Sequence, residues 1–294
     1  MNIGETTFVA GATGKLGRKI LDELKGSGHR TRALTRDGPH ALPPAADEVR
    51  VADARKPESL EGLCEGARLV ISAMGASLRL EPTGRGGGGY RGVDYLANRN
   101  LLAEARKSGV RKFVYVSLAC AEKLRGTAYA DAHEDFVREL ESSGIDYTIV
   151  RPTGFFYAFE EIFKMAARGR AAVVGRGDAR TNPVDERDVA RACVEALGAG
   201  EREVSVGGPE VYTRREIVEL AFEALGRRPK IVSVPAGLIR ALILPVRLFD
   251  RRLYELLDFG VAVGLVDAIA PPTGTRSLRD HFSRLAEESA GARQ

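Results

Sequence analysis

Three side chains in the middle of the chain have the types and spacing of an acid–base site: Ser117, Tyr129 and His133. Tyr129 and His133 stand four residues apart, one turn along the same face of a helix. A phenol beside a cation becomes more acidic and can give or take a proton while a bond to carbon forms or breaks. An imidazole is such a cation only when protonated, since its ordinary pKa is about 6.5. A serine hydroxyl can hold a substrate oxygen while the proton moves. The plainer alternative makes Tyr129 and His133 helix-surface residues, and Glu134 fits a solvated position better than a catalytic one.

Positioning that set needs a strand that ends at Ser117 and a helix that opens at Tyr129. Lys112 to Val116 (KFVYV) reads as the strand and Tyr129 to Ser143 as the helix. What surrounds them follows from the N-terminus, where the run Thr6 to Ala10 leads into glycines at 11, 14 and 17 and then a helical pattern from Lys15 to Leu24. This is the strand–turn–helix that binds a dinucleotide pyrophosphate. Gly11 allows the reversal, Gly14 the approach of phosphate, and Gly17 the close seating of the helix. The helix N-terminus then offers unpaired N–H groups and its positive dipole end. Gly11, Thr13, Gly14, Lys15, Leu16 and Gly17 are expected to line the cofactor.

Further strands are expected at Arg30 to Thr35, Glu48 to Val51, Leu69 to Ser72, Asp146 to Val150, Glu203 to Val206 and Ile231 to Val234. Helices are expected at 93–108, 155–167, 185–198 and 214–225, with a mostly helical tail from Pro235. The alternation predicts an α/β fold, a doubly wound parallel sheet of Rossmann type with its ligand site beyond the strand C-termini. The expected division is a nucleotide-binding core at 1–154, then 155–294 with the remaining core elements (182–206 among them) and a small, mostly helical substrate lobe. Arg36 ends the second strand, where an arginine accommodates the 2′-phosphate of NADP and an acid would favour NAD. The expected cofactor is therefore NADP (NADPH). Asp53 stands where it could bond the adenine amino group or cap the segment from Pro57. Small residues at Ala73, Met74 and Gly75 would let the cofactor ribose pass. Ser77 to Gly92, with its GRGGGG run at 84–89, reads as a mobile flap or a flexible surface loop. Phe155, Phe156, Tyr157 and Phe159 are core packing or, for Phe155 and Phe156, the wall of a substrate pocket.

Composition narrows the classes. The 294 residues carry a net charge of +4 without a basic run interleaved with aromatics, which argues against nucleic acid. Three scattered cysteines argue for a reduced, cytoplasmic protein without disulfides, and no His/Asp/Glu set has metal spacing. The start does not read as a signal peptide. Ile231 to Phe249 is interrupted by Pro235, Arg240, Pro245 and Arg247, so a spanning helix is not expected. The tail at 235–285 reads as a lobe over the substrate, an oligomer interface or, least expected, a helix on a membrane surface where Arg240, Arg247, Arg251 and Arg252 flank apolar residues.

Several motifs together resemble the atypical, NmrA-like branch of the short-chain dehydrogenases/reductases: GATGKLG at 11–17, LTR at 34–36, VDYLANRNLLAEARKSGVRKFVYVS at 93–117, GIDYTIVRPTGFF at 144–156 and NPVDERDVA at 182–190. The resemblance covers roughly the first two-thirds of the chain. It implies NAD(P) binding, commonly reduction of carbonyls or activated double bonds, and places Thr153 to Phe156 near the nicotinamide and substrate. Pro152, Thr153, Gly154 and Phe155 are thereby added to the expected cofactor contacts, with Ser117 and His133. The family pattern is Tyr-x-x-x-Lys, and His133 holds the lysine position. The expected function is an NADPH-dependent reductase of a small, fairly apolar molecule with Tyr129 as proton donor. The missing lysine keeps open an NADP-binding sensor or scaffold, and bound cofactor also admits a redox-neutral epimerase or isomerase.

Overall fold

The computed structural model describes residues 5–36, 38, 45–75 and 89–291. The expected flap falls on 77–92 and lies, apart from its last residues, outside them. Strands β1 (Thr6–Ala10), β2 (Arg30–Thr35), β3 (Glu48–Val51), β4 (Ala67–Ser72), β5 (Lys112–Val116) and β6 (Asp146–Pro152) are joined by β9 (Glu203–Val206), which follows the short strands β7 (Ala171–Val174) and β8 (Arg180–Thr181). The seven form one parallel sheet in the order β3-β2-β1-β4-β5-β6-β9. The order reverses between β1 and β4, which is where a sheet of this kind opens a crevice for a ligand.

The inner strands β1, β4 and β5 are buried on both faces, so they read as nearly continuous apolar runs with period-two sorting. Val9, Leu69, Ile71, Val114, Val116 and Val150 face helices α1 (Lys15–Gly26) and, later in the chain, 186–195. Phe8, Ala10, Val70, Phe113, Tyr115 and Ile149 face α2 (Asn98–Lys107) and α3 (Ala128–Glu141). The single helix expected at 93–108 is two: a π-helical segment, Arg91–Ala97, precedes α2. The wider turn accompanies two buried polar side chains, Asp94 and Asn98, and the Asn98 amide donates to Asp94 O at 3.0 Å.

Beyond β6 a 3₁₀ turn, Phe156–Phe159, leads into α4 (Glu160–Ala167). Helix α5 (Glu186–Glu195) packs on α1, and β9 pairs with β6, so this stretch returns to the main sheet. Helix α6 (Arg214–Ala224), β10 (Tyr212–Thr213) and β11 (Ile231–Val234) belong to a smaller lobe, where β11 pairs with β7 and β10 with β8. Helices α7 (Ala236–Ile243), α8 (Val246–Phe249), α9 (Arg251–Val263) and α10 (Leu278–Gly291) complete the chain. Among the described residues no helix is long and apolar enough to cross a membrane. The NPVDERDVA stretch ties the lobe down. The Asn182 amide donates to Gly208 O and Ala270 O, Asp185 caps α5, and buried Asp188 takes Arg276 at 2.6 Å.

Candidate functional site

The nucleotide end is made of backbone. Gly11 has φ +78°, and a Cβ there would lie 2.4 Å from Ala73 O. A Cβ on Gly17 would lie 2.1 Å from Gly11 O, so helix and turn touch through the missing side chain. Gly14 differs: its Cβ would meet only Gly11 O, at 3.3 Å, leaving the outer side of the turn clear. Gly14 is also the N-cap of α1 and supplies no side-chain cap, so the first N–H groups of the helix face that clear side. The cradle fits a pyrophosphate. Leu16 is buried and contributes only its backbone, and Thr13 is exposed. Lys15 reaches across to α4, with Nζ 2.9 Å from Glu160 Oε1 and 5.0 Å from the Tyr157 ring centre.

At the adenosine end, Arg36 is exposed at the bend after β2. It comes near Asp53, whose carboxyl is held down at about 2, first by the hydrogen bond from Arg55 and with a smaller electrostatic share from Arg36. Arg55 grips Asp53 in a fork, with Nε at 2.9 Å from Oδ1 and one terminal nitrogen at 2.6 Å from Oδ2. Asp53 does not cap the Pro57–Leu60 turn with its side chain; its carbonyl takes Ser59 Oγ at 2.7 Å. Arg32, on the same strand as Arg36, is a structural residue: it is buried against Glu48, Leu63 O and Glu65 O.

The ends of β1, β4, β5 and β6 bring Gly11, Ala73, Met74, Gly75, Ser117 and Thr153 to one edge of the sheet. Ser72 Oγ donates to Asn98 Oδ1 at 2.5 Å and fixes the Ala73-Met74-Gly75 exit. A Cβ on Gly75 would lie 3.1 Å from Asp94 Oδ1, a tight contact. Past β6, the Thr153 hydroxyl donates to Asn182 O at 2.6 Å, Pro152 O accepts from Ala119 N, and Gly154 O accepts from Val184 N. Gly154 also makes room for the Phe159 ring, 2.9 Å from where a Cβ would stand. The Thr153 side chain is thus turned into the protein.

The acid–base residues meet a crowded neighbourhood. Ser117 is buried, and Arg151 reaches toward its Oγ at 3.4 Å while holding Glu134 at 2.6 Å and Glu203 at 2.7 Å. Glu134, expected to be solvated, is instead one arm of that network. Tyr129 packs in the cluster that contains Leu118, the residue after Ser117. Its ring lies edge-on to Tyr90 at 5.2 Å and His133 at 4.6 Å, and against Phe259 of α9 at 4.6 Å. Burial, followed by the nearby Asp94 carboxylate, pushes the Tyr129 phenol well above its ordinary value. His133, the neighbour four residues on, is turned toward other protein groups. That ring is buried with Nδ1 2.6 Å from Tyr115 Oη and Nε2 3.1 Å from Asp94 Oδ1, the latter out of line with a ring N–H. One ring nitrogen of His133, expected to meet the cofactor ribose, is thus bonded to Tyr115 of β5, and the other lies beside Asp94 of the π-helical segment.

Phe156 is corrected too. It is 1% exposed, with its ring 5.4 Å from His281, and packs in the core of the small lobe. Phe155 is half-buried and stacks on Tyr157 at 5.2 Å. Cys64, pushed up to about 12 by burial, and Cys193, buried and higher, are not nucleophiles. No His/Cys/Asp/Glu group among the described residues could hold a metal. Asp94, Asn98, Tyr115 and Arg151 were missed from sequence; the one available signal was a polar residue at an inward helical position in 93–98.

A family model described as NAD(P)H-binding matches residues 11–199. The divinyl chlorophyllide a 8-vinyl-reductase of Oryza sativa subsp. indica is 29% identical over 272 residues, covering 81% of this chain and 63% of that protein. The photosystem II assembly factor Ycf39 of Synechocystis is 26% identical over 241 residues, covering 79% of this chain and 72% of that one. The chain spans a little under two thirds of the length of the vinyl-reductases it matches. An Escherichia coli NADPH-dependent quinone oxidoreductase, solved with NADPH, shares the fold with a TM-score of 0.75 at 21% identity, over 95% of this chain and 99% of that one.

Proposed function

This chain belongs to the NAD(P)H-binding family, the NmrA-like branch of the atypical short-chain dehydrogenases/reductases, and from that premise we propose that it is an NADPH-dependent reductase of a small, fairly apolar carbonyl or conjugated compound. The carrying observation is the setting of Tyr129 at the C-terminal edge of the sheet, beneath α9, in the cluster that contains the residue after Ser117. A phenol holds its proton at neutral pH and can give it up as hydride reaches the substrate. Bound NADPH supplies the hydride. The turn from Gly11 to Gly17 holds the pyrophosphate, Arg36 pairs with the 2′-phosphate, and Ala73 to Gly75 leave space for the ribose. Ser117, oriented by Arg151, holds the substrate oxygen, and Phe155 with Phe259 offers apolar wall. Two similar proteins are named for reductions, of a vinyl group and of quinones. Free cysteines suit a reducing compartment such as the cytoplasm.

The test is NADPH oxidation across a panel of quinones, enones and simple carbonyls, with Tyr129→Phe beside the parent chain. The variant is expected to lose about 100-fold or more in kcat while binding NADPH as before. Unchanged turnover in the variant removes Tyr129 from the chemistry. A second reading, NADP binding without turnover, is favoured by one observation: the position that carries lysine in the family is occupied by an imidazole buried beside Asp94 and bonded to Tyr115. It requires tight NADPH binding with no oxidation anywhere in the panel.

A further inference from the structure

Among the described residues, the two most exposed large apolar side chains stand at one corner. Leu248 is 84% exposed and Phe249 89%, and α8, which carries both, buries no residue. On α7 next to it, Ile243 faces inward while Leu242, 67% exposed, and Leu238 face out, and Leu244 continues the patch toward Pro245. Residues 236–249 contain two arginines, Arg240 and Arg247, and no acid. Both are exposed; Arg240 lies 3.6 Å from Asp258, and Arg247 leans on the Tyr254 ring at 5.9 Å.

We propose that the α7–α8 corner docks on an anionic lipid surface. Leucine and phenylalanine that stand nearly free of the protein form a projection, not a groove. The boundary between headgroups and acyl chains accepts such a wedge without a matching socket, whereas a protein partner must be shaped to it. Arginines beside the wedge, with no carboxylate within 236–249, match the charge of an anionic leaflet. The first acid afterwards, Asp250, is engaged as the cap of α9, accepting from Leu253 N at 2.9 Å. Both α7 and α8 pack on α9, and Phe259 of α9 rests on Tyr129, so a docked corner lies one helix away from the candidate site. An apolar compound dissolved in the bilayer would then be presented near that helix. The docking itself does not depend on the reductase reading.

The test is flotation of the full chain with phosphatidylcholine vesicles and with vesicles that also contain phosphatidylglycerol. Binding is expected to the anionic vesicles, about tenfold or more weaker to phosphatidylcholine alone, and to fall with added salt. The double variant Leu248→Ser/Phe249→Ser should lose about tenfold or more of that binding with unchanged thermal unfolding, since neither side chain is buried. Arg240→Gln/Arg247→Gln should lower binding to the anionic vesicles and leave the weak binding to phosphatidylcholine unchanged. Absence of flotation by the parent chain overturns the proposal, as does equal flotation by the serine variant. So does light scattering that finds the parent chain dimeric and the serine variant monomeric, which gives the corner to a second copy.

Discussion

The two ends of the candidate site are built from different materials. At the nucleotide end the functional features are absences: no Cβ at Gly11, Gly14 or Gly17, and no side chain capping α1. At the acid–base end they are buried side chains from separate parts of the chain: Tyr115 of β5, Asp94 of the π-helical segment, Tyr129 and His133 of α3, and Phe259 of α9. The first is a local arrangement held by steric contact. The second exists only when four elements have docked. A substitution at the first end should therefore divide cleanly into those that break the turn and those that spoil only the ligand, while at the second end stability and chemistry are harder to separate.

The largest expected effect tests the steric end. Gly17→Ala drives a Cβ into Gly11 O, 2.1 Å away, and should lower stability by about 3 kcal/mol or more in urea unfolding. Gly14→Ala, with one contact at 3.3 Å and an ordinary φ of −71°, should cost at most about 1 kcal/mol while weakening NADPH about tenfold or more by calorimetry. If both variants unfold alike, the turn is purely structural and the division fails.

Next comes His133→Leu, which strips Tyr115 Oη of its buried hydrogen-bond partner and removes the ring beside Asp94. About 2–4 kcal/mol of stability should be lost. If His133 is a core residue, the folded variant keeps its NADPH affinity within about threefold. A drop of tenfold or more would return His133 to the cofactor and make the two ends one.

Arg36→Ala should leave unfolding unchanged, because the side chain is exposed, and should remove a preference for NADPH over NADH of about tenfold or more. Equal affinity of the parent chain for both nucleotides would take the 2′-phosphate away from Arg36. The smallest effect is at Asp53. Its folded carboxyl is depressed from 3.8 to about 2, principally by the Arg55 hydrogen bond, so its contribution is complete above about pH 4 and fades as pH falls through about 2. Asp53→Asn should cost about 1 kcal/mol at neutral pH, the partly exposed fork being screened by water, and the difference from the parent chain should close as the medium is acidified toward pH 2.

How much could be read beforehand follows the same division. The strands of the main sheet fall within two residues of expectation because even the half-exposed edge strands, such as EVRV and EVSV, carry β-branched residues between turn residues, and the inner ones carry dense apolar runs. The glycine turn is legible for the same reason: its chemistry is a property of consecutive residues. The change from π to α winding at Asn98 was not legible, since the apolar spacing of 93–108 suits either. Strands β8 and β10, two residues each, are too short to leave a pattern. Phe156 and Phe155 are adjacent and chemically identical, and only the docking of α10 and its His281 assigns one of them to the core.

The sequence by itself determined the parallel sheet, the dinucleotide turn, the arginine at the end of β2 and the identity of the tyrosine that could carry a proton. These depend on backbone freedom, side-chain size and charge along a few neighbouring residues. The tertiary structure alone decided that His133 bonds Tyr115 and lies beside Asp94, that Arg151 joins Ser117 to Glu134, and that α8 leaves Leu248 and Phe249 in solvent. The partners of a buried polar group come from segments brought together by folding. An apolar residue's exposure depends on which helix faces remain when the core is full, and no local pattern encodes either.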